Sequence, residues 1–322
     1  MNRILPEASW PPSWRYSYAY DLQEIYGEVH NPGYVYAYQN RRNLTLQLIE
    51  EVLPEGSSIL DVAGAQGNFT LTLAERGYRV TWNDLRQELE GYVRKKYERG
   101  DVSFAPGNIF DQSFESAFDC VLITEIIEHV AHPDQFLRKI ASMIRRGGYI
   151  VMTTPNGAYI RNTLPRFSEC SNPDLYENVQ FKPDADGHIF LLRPDEVRLL
   201  AEECNLEIDE QIFFTTFLTA GYLKTARMLR ILPRSAVFAL ESVIAHLSDV
   251  VRERLMVHTA VRLRKPTWPL GEAAPPEQLT DTMVQLPRGT TSRAHPSTAS
   301  VGQAAPACAP AERLRTSTSR PM

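Results

Sequence analysis

Cysteine is scarce in this chain. Four residues among 322 (Cys120, Cys170, Cys204 and Cys308) are scattered, with no Cys-x-x-Cys pair and no metal-ligand spacing. That excludes a disulfide framework and a thiolate zinc site, and Cys120 and Cys204 are expected as small core residues in a reduced cytosol. No apolar run approaches the roughly 20 residues of a membrane span, and the N-terminus, Met1 to Glu7, is not that of a signal peptide, so a cytoplasmic protein is expected. There is no excess of positive charge either: net charge is −5 and the isoelectric point is near 5.9. A broad nucleic-acid footprint, which needs a basic face, is not expected. Glycine is missing where a dinucleotide would want Gly-x-Gly-x-x-Gly, since residues 63–67 read Ala-Gly-Ala-Gln-Gly.

What is present is an ordered α/β pattern. An apolar strand, Ser58 to Val62, contains the acid Asp61; a small-residue turn and an amphipathic helix, Phe69 to Arg76, follow it. After Gly77 a second strand, Tyr78 to Trp82, leads to Asp84. Strand, small turn, helix, strand and acid build a nucleotide pocket, because the backbone must approach the ligand closely and the second acid can accept from both ribose hydroxyls. The stretch from Asp61 to Gly67 resembles motif I of the class I S-adenosylmethionine (SAM) methyltransferases, Asp-x-Gly-x-Gly-x-Gly, with Ala63 and Ala65 in place of two glycines. Alanine is the smallest change available, and the pocket survives it unless either position requires φ > 0. The resemblance implies SAM as cofactor. Asp61, Ala63, Gly64, Ala65 and Gly67 would take its amino-acid end, Asp84 with Leu85 its ribose, Asn108 and Ile109 its adenine, and Thr124 would flank the methionine portion.

The remaining elements follow in the order this family implies, over roughly residues 40–215. A helix is expected over Leu89–Arg99, a short strand over Val102–Phe104, and a strand buried on both faces over Phe118–Ile123. A helix over Pro133–Ile144, a stop and turn at Arg145–Gly148 and a fifth strand over Tyr149–Thr154 come next. Sixth and seventh strands are expected over Leu206–Phe214 and Leu255–Leu263. The expected fold is α/β: a Rossmann-like seven-stranded sheet with helices on both faces and a helical insertion between the last two strands. Residues 1–56 read as an aromatic-rich cap ending in a helix from about Tyr36 to Val52, 57–265 as the methyltransferase domain, and 266–322, rich in Pro, Ala, Ser and Thr, as a disordered tail.

The insertion, 218–254, reads as two helices broken at Leu232-Pro233. Basic Lys224, Arg227 and Arg230 stand three apart among apolar residues. A lid on the sheet edge or a dimer interface is the first expectation. Contact with a membrane surface through 222–247, placing the protein at the inner membrane, is the second. Oligomeric state is left open.

Chemistry is expected at the end of the fourth strand. Glu125-x-x-Glu128-His129 is joined downstream by His188, and two carboxylates with two imidazoles can ligate a divalent ion. The arrangement resembles the ubiquinone-biosynthesis O-methyltransferases, and also the small-RNA 3′-terminal 2′-O-methyltransferases. Those resemblances imply Mg2+ or Mn2+ on Glu125, Glu128, His129 and His188, with Glu128, His129 and His188 in catalysis. Without a metal, a histidine can act as general base or merely pack. The loop 156–186, with Arg161, Arg166 and Phe181 to Asp184, is the choice for acceptor recognition. The segment from Thr153 to Leu191 resembles methyltransferases of bacterial polysaccharide and glycolipid synthesis. The expected acceptor is a sugar or polyol hydroxyl, alone or on a glycolipid. A quinone-type phenol, an RNA 2′-hydroxyl, and a binding or assembly protein without turnover are the alternatives.

Overall fold

Seven strands form one mixed sheet in the order β3-β2-β1-β4-β5-β7-β6. They are β1 (Ser58–Val62), β2 (Arg79–Trp82), β3 (Asp101–Phe104), β4 (Phe118–Thr124), β5 (Ile144–Pro155), β6 (Glu207–Thr216) and β7 (Met256–Arg264). The computed structural model describes residues 1–180, 187–220 and 225–267. The first five strands run parallel, and β7 enters antiparallel between β5 and β6. β1 and β4 are apolar and almost wholly buried because helices cover both faces. One apolar layer joins Leu60, Val121, Ile123 and Ile150 to helix α5 (Pro133–Met143) and helix α6 (Pro194–Glu203). The other joins Ile59, Leu122 and Val151 to helix α3 (Asn68–Glu75) and to Leu46, Leu48 and Ile49. The strand order reverses between β1 and β4, and a crevice opens at such a switch point beyond the carboxyl ends of the strands.

Two helices precede the sheet. Helix α1 (Pro12–Glu24) was not expected; Pro12 occupies its first turn, where a missing N–H is no loss. Helix α2 (Pro32–Glu50) begins earlier than the expected Tyr36, because Asn31 caps it by accepting from the Tyr34 N–H at 3.3 Å and Pro32 opens the first turn. Arg262 on β7 locks α2 to the sheet. It donates to the Leu48 carbonyl (2.9 Å) and pairs with Glu51 (2.8 Å), Asp209 (2.5 Å) and Glu210 (3.2 Å).

Other differences from expectation are local. The helix after β2, α4 (Leu89–Lys96), ends before Arg99. β5 begins at Ile144 and runs through the expected turn at Arg145–Gly148, taking up Gly147 (φ +76°) beside a register shift in its pairing with β4. Among the described residues the insertion holds three helices where two were expected: α7 (Ala226–Ile231), α8 (Arg234–Ala245) and α9 (Asp249–Leu255). Leu255, expected as strand, ends α9, which runs straight into β7. Tyr222, Leu223 and Lys224, Phe181 to Asp186, and the tail from 268 onward lie outside the described residues.

Candidate active site

The site begins with the turn after β1. Ala63 (φ +51°) and Ala65 (φ +45°) both stand in the left-handed region, as does Gly67 (φ +74°). The two substituted positions are therefore ones that favour glycine, and the turn nevertheless closes: Gly67 N–H donates to Gly64 O (2.7 Å), and Gly64 N–H to Asn83 O (2.8 Å). Gly64 itself cannot be replaced cheaply, since a Cβ there would lie 2.7 Å from the Trp82 ring and 3.0 Å from the Asp61 carboxylate. Asp61 is buried and accepts from the Thr70 hydroxyl at 2.5 Å. Burial first, with the charge of Asp84 acting the same way, pushes its pKa up to about 7 against that hydrogen bond.

A chamber of about 680 Å³ opens over this turn. One wall is the turn itself, from Ala63 to Gln66, with Asp61 beneath. Its floor is Thr124, Glu125, Glu128, His129 and His188. The opposite wall comes from α1 and α2: Tyr16, Tyr20, Tyr34, Tyr38 and Arg41. The aromatic leader thus divides. These four tyrosines face the chamber, while Trp10 packs edge-on against Trp14, Tyr18 and Tyr92.

Asp84 is placed differently from expectation. Its carboxylate accepts from the Ala65 N–H (2.9 Å) and the Arg86 N–H (2.8 Å), and the Arg86 guanidinium folds over it at 3.1 and 3.3 Å. Arg86 lines the chamber in its place; Asp84, Leu85, Asn108 and Ile109 do not. The Asn108 side-chain oxygen accepts from the Phe110 N–H at 3.1 Å, capping a short 3-10 turn.

A buried polar knot ties α1 to the turn. The Lys96 ammonium donates to Asp21 (2.6 Å), to the Asn68 side chain (2.6 Å) and to the Gln66 carbonyl (2.9 Å). Asp21 also accepts from Tyr92 and Asn68, and both members of the Lys96–Asp21 pair are fully buried. Burial lowers the Lys96 pKa, and Asp21 works against that fall.

The floor separates the four expected ligands. Glu128, His129 and His188 bring one donor atom each to within 4.8 Å of one another. Glu125 turns the other way. It stands at φ +54° with its N–H on the Thr153 carbonyl (2.8 Å), and its carboxylate meets Arg41 at 3.2 Å and His258 at 4.0 Å. Burial acts to raise the Glu125 pKa, and Arg41 and then His258 hold it below the usual value. Glu128 goes the opposite way: burial, then the charge of Glu125, holds its carboxyl well above the usual range.

Three features fit the residues of this floor to a cation. Glu128 accepts from the Thr154 hydroxyl (2.9 Å), while its buried Oε1 has no hydrogen-bond partner. His129 Nδ1 lies 3.0 Å from the Gly187 carbonyl, which orients the ring, and its Nε2 lies 3.9 Å from Glu128. The His129 and His188 rings sit edge to face at 4.8 Å.

Arg41, Arg86, Lys96, Asp21 and His258 were not singled out from the sequence. The chain offered no local signal for them beyond a charged residue in or beside an apolar helix or strand.

Comparison with known proteins agrees with this geometry. Residues 36–211 match the family described as a methyltransferase domain. A ubiquinone biosynthesis O-methyltransferase of Caulobacter vibrioides is 33% identical over 106 residues, covering 32% of this chain and 42% of the relative. One from Proteus mirabilis is 27% identical over 161 residues, covering 49% of this chain and 64% of the relative. The chain thus spans about half the length of the curated relatives it matches. Among solved structures, the [4+2]-cyclase SpnF superposes with a TM-score of 0.50 at 18% identity, covering 80% of this chain and 97% of its own, which is a likeness of fold. The turn after β1, the seven-stranded order and the family match together make this chain a member of the class I SAM-dependent methyltransferases.

Proposed function

We propose that the protein methylates a hydroxyl oxygen of a small ring compound carrying two adjacent hydroxyls, with SAM as donor. The observation that carries this reading is the grouping of Glu128, His129 and His188 on the floor of the chamber that the cofactor turn walls. A phenolic ring of the quinone-precursor kind is the first choice. It suits a wall of four tyrosines, and the curated relatives carry names from ubiquinone biosynthesis. A sugar or polyol diol is the second choice, because it offers the same pair of oxygens and also packs on aromatic rings.

In the mechanism, the turn from Asp61 to Gly67 holds the amino-acid end of the cofactor, and the tyrosine wall excludes water. Glu128, His129 and His188 would hold a magnesium or manganese ion, whose charge lowers the pKa of a hydroxyl set against it. The methyl carbon leaves sulfur as its bond to the acceptor oxygen forms, in line. The hydroxyl proton, loosened by that charge, would leave to water at the chamber mouth, where His188 is exposed. Alignment of donor and acceptor supplies most of the rate.

The test is S-adenosylhomocysteine release from SAM with catechols and with sugar diols, each with and without Mg2+ or Mn2+. Metal-dependent turnover of a catechol, lost in His188→Ala and Glu128→Gln, supports the first choice, and turnover of sugar diols alone supports the second. Turnover that is unchanged in His188→Ala sinks the assignment of that residue.

A further inference from the structure

The helical insertion carries an uncovered apolar surface. Ile231 is 84% exposed, Val250 72% and Val243 65%, with Met228, Phe238, Leu247 and Val251 also open to solvent. Seven of the seventeen exposed large apolar side chains among the described residues fall within Met228–Val251, so this exposure is local rather than background. The inner side of the same helices is satisfied. Leu229 and Val237 pack on Tyr36 of α2, and Glu241 turns inward to accept from the Thr216 N–H (2.9 Å) and from Thr219.

On α7 and α8 the exposed charges have one sign; α9, which carries Val250 and Val251, also presents Asp249, paired with Arg252. Arg227, Arg230 and Arg234 are exposed, and none makes an ion pair among the described residues; Arg230 reaches the His30 carbonyl at 3.4 Å. Arg227 stands one helical turn before Ile231, and Arg234 one turn before Phe238, so basic and apolar side chains share faces. Glu241 is the one acid in the sequence from 226 to 248, and it is the inward one. A second copy packed symmetrically on this surface would set arginines against arginines, because such an interface meets itself. An anionic bilayer answers both features, taking the apolar side chains among its headgroups and the guanidinium groups on its phosphates. No helix among the described residues is long and apolar enough to cross a membrane, which leaves contact at the surface.

We infer that α7 to α9 dock this protein on an anionic lipid surface. The inference stands apart from the choice of acceptor, and its test does not read activity. The full chain is sedimented with vesicles of phosphatidylcholine alone or of phosphatidylcholine with phosphatidylglycerol. The protein is expected to pellet with the anionic vesicles, to stay in solution with the neutral ones, and to be released by salt. Joint substitution Arg227→Gln, Arg230→Gln and Arg234→Gln should weaken the anionic binding about a hundredfold. Joint substitution Ile231→Asp, Val243→Asp and Val250→Asp should abolish it. Both variants should bind S-adenosylhomocysteine as the wild type does, which shows that they fold. Failure to pellet with anionic vesicles, equal binding to neutral ones, or binding that survives both variants would overturn the inference. So would a dimer that the aspartate variant dissolves and that does not pellet, since a second copy would then be the cover.

Discussion

Ala63 and Ala65 hold a Cβ at positive φ on the turn that wraps the cofactor. A side chain there strains the backbone relative to glycine, less the extra freedom glycine has in the unfolded chain. Ala63→Gly and Ala65→Gly are each expected to stabilise the protein by about 0.5–1 kcal/mol, read by chemical denaturation. Asp61 supplies a pH dependence. Its folded pKa of about 7 lies above the unfolded value, so the native state holds a proton that the unfolded chain has lost between about pH 4 and 7. Stability from this group is present below the unfolded pKa and declines as pH rises through 7. Cofactor affinity moves the other way, because the ammonium of the bound amino acid favours the carboxylate. S-adenosylhomocysteine affinity should rise with pH around a midpoint near 7, and calorimetry on Asp61→Asn should find that dependence gone. Glu128→Gln should leave the melting temperature unchanged or higher, since the native state already disfavours the charge, while removing the heat of Mn2+ binding. The motif-borne residues of the site, from Asp61 to Gly67 and Glu128 with His129, could be read from the chain because their neighbours in space are neighbours in sequence. His188 could be read through the family resemblance. Arg86 over Asp84, Arg41 on Glu125 and His258 beyond it could not, because what gives each its role is a contact made only by folding.

Helix α1 shows what an element adds that a motif does not. Its aromatic residues read as part of a cap; its place as a chamber wall depends on Asp21, which Lys96 of α4 reaches in a site closed to water. Lys96→Met leaves Asp21 charged and uncompensated, with an expected loss of about 3–5 kcal/mol in urea denaturation and weakened cofactor binding as the turn loosens at Gln66. A loss confined to binding, with stability intact, would mean that Tyr92 and Asn68 suffice to hold Asp21 in place. The strands were legible to within a few residues because apolar runs bounded by turns leave little choice. α1, the early start of α2 and the third insertion helix were not legible, because each start rests on a single residue: Pro12 in a first turn, Asn31 as a cap, and Ser248, whose side chain makes no cap hydrogen bond.

At the scale of the whole molecule, the seven-stranded sheet with helices on both faces was foreseen because the ordered elements resemble one family. The placement of the insertion on α2 was not, since it rests on Tyr36, Leu229 and Val237 meeting across the fold. The position of β7 also bears on how the protein is made. The strand reaching the sheet last in the chain fills a slot between two strands that the ribosome has already released. Until residue 264 emerges, β5 and β6 each present an open edge, and Arg262, which ties four partners together, is absent. Residues 217–255 must also be spanned, at roughly 2–3 kcal/mol more closure entropy than a tight hairpin. A nascent chain halted within the insertion therefore carries β5 with an open edge and β6 with no partner strand, a natural target for chaperones and for sticking to its own kind.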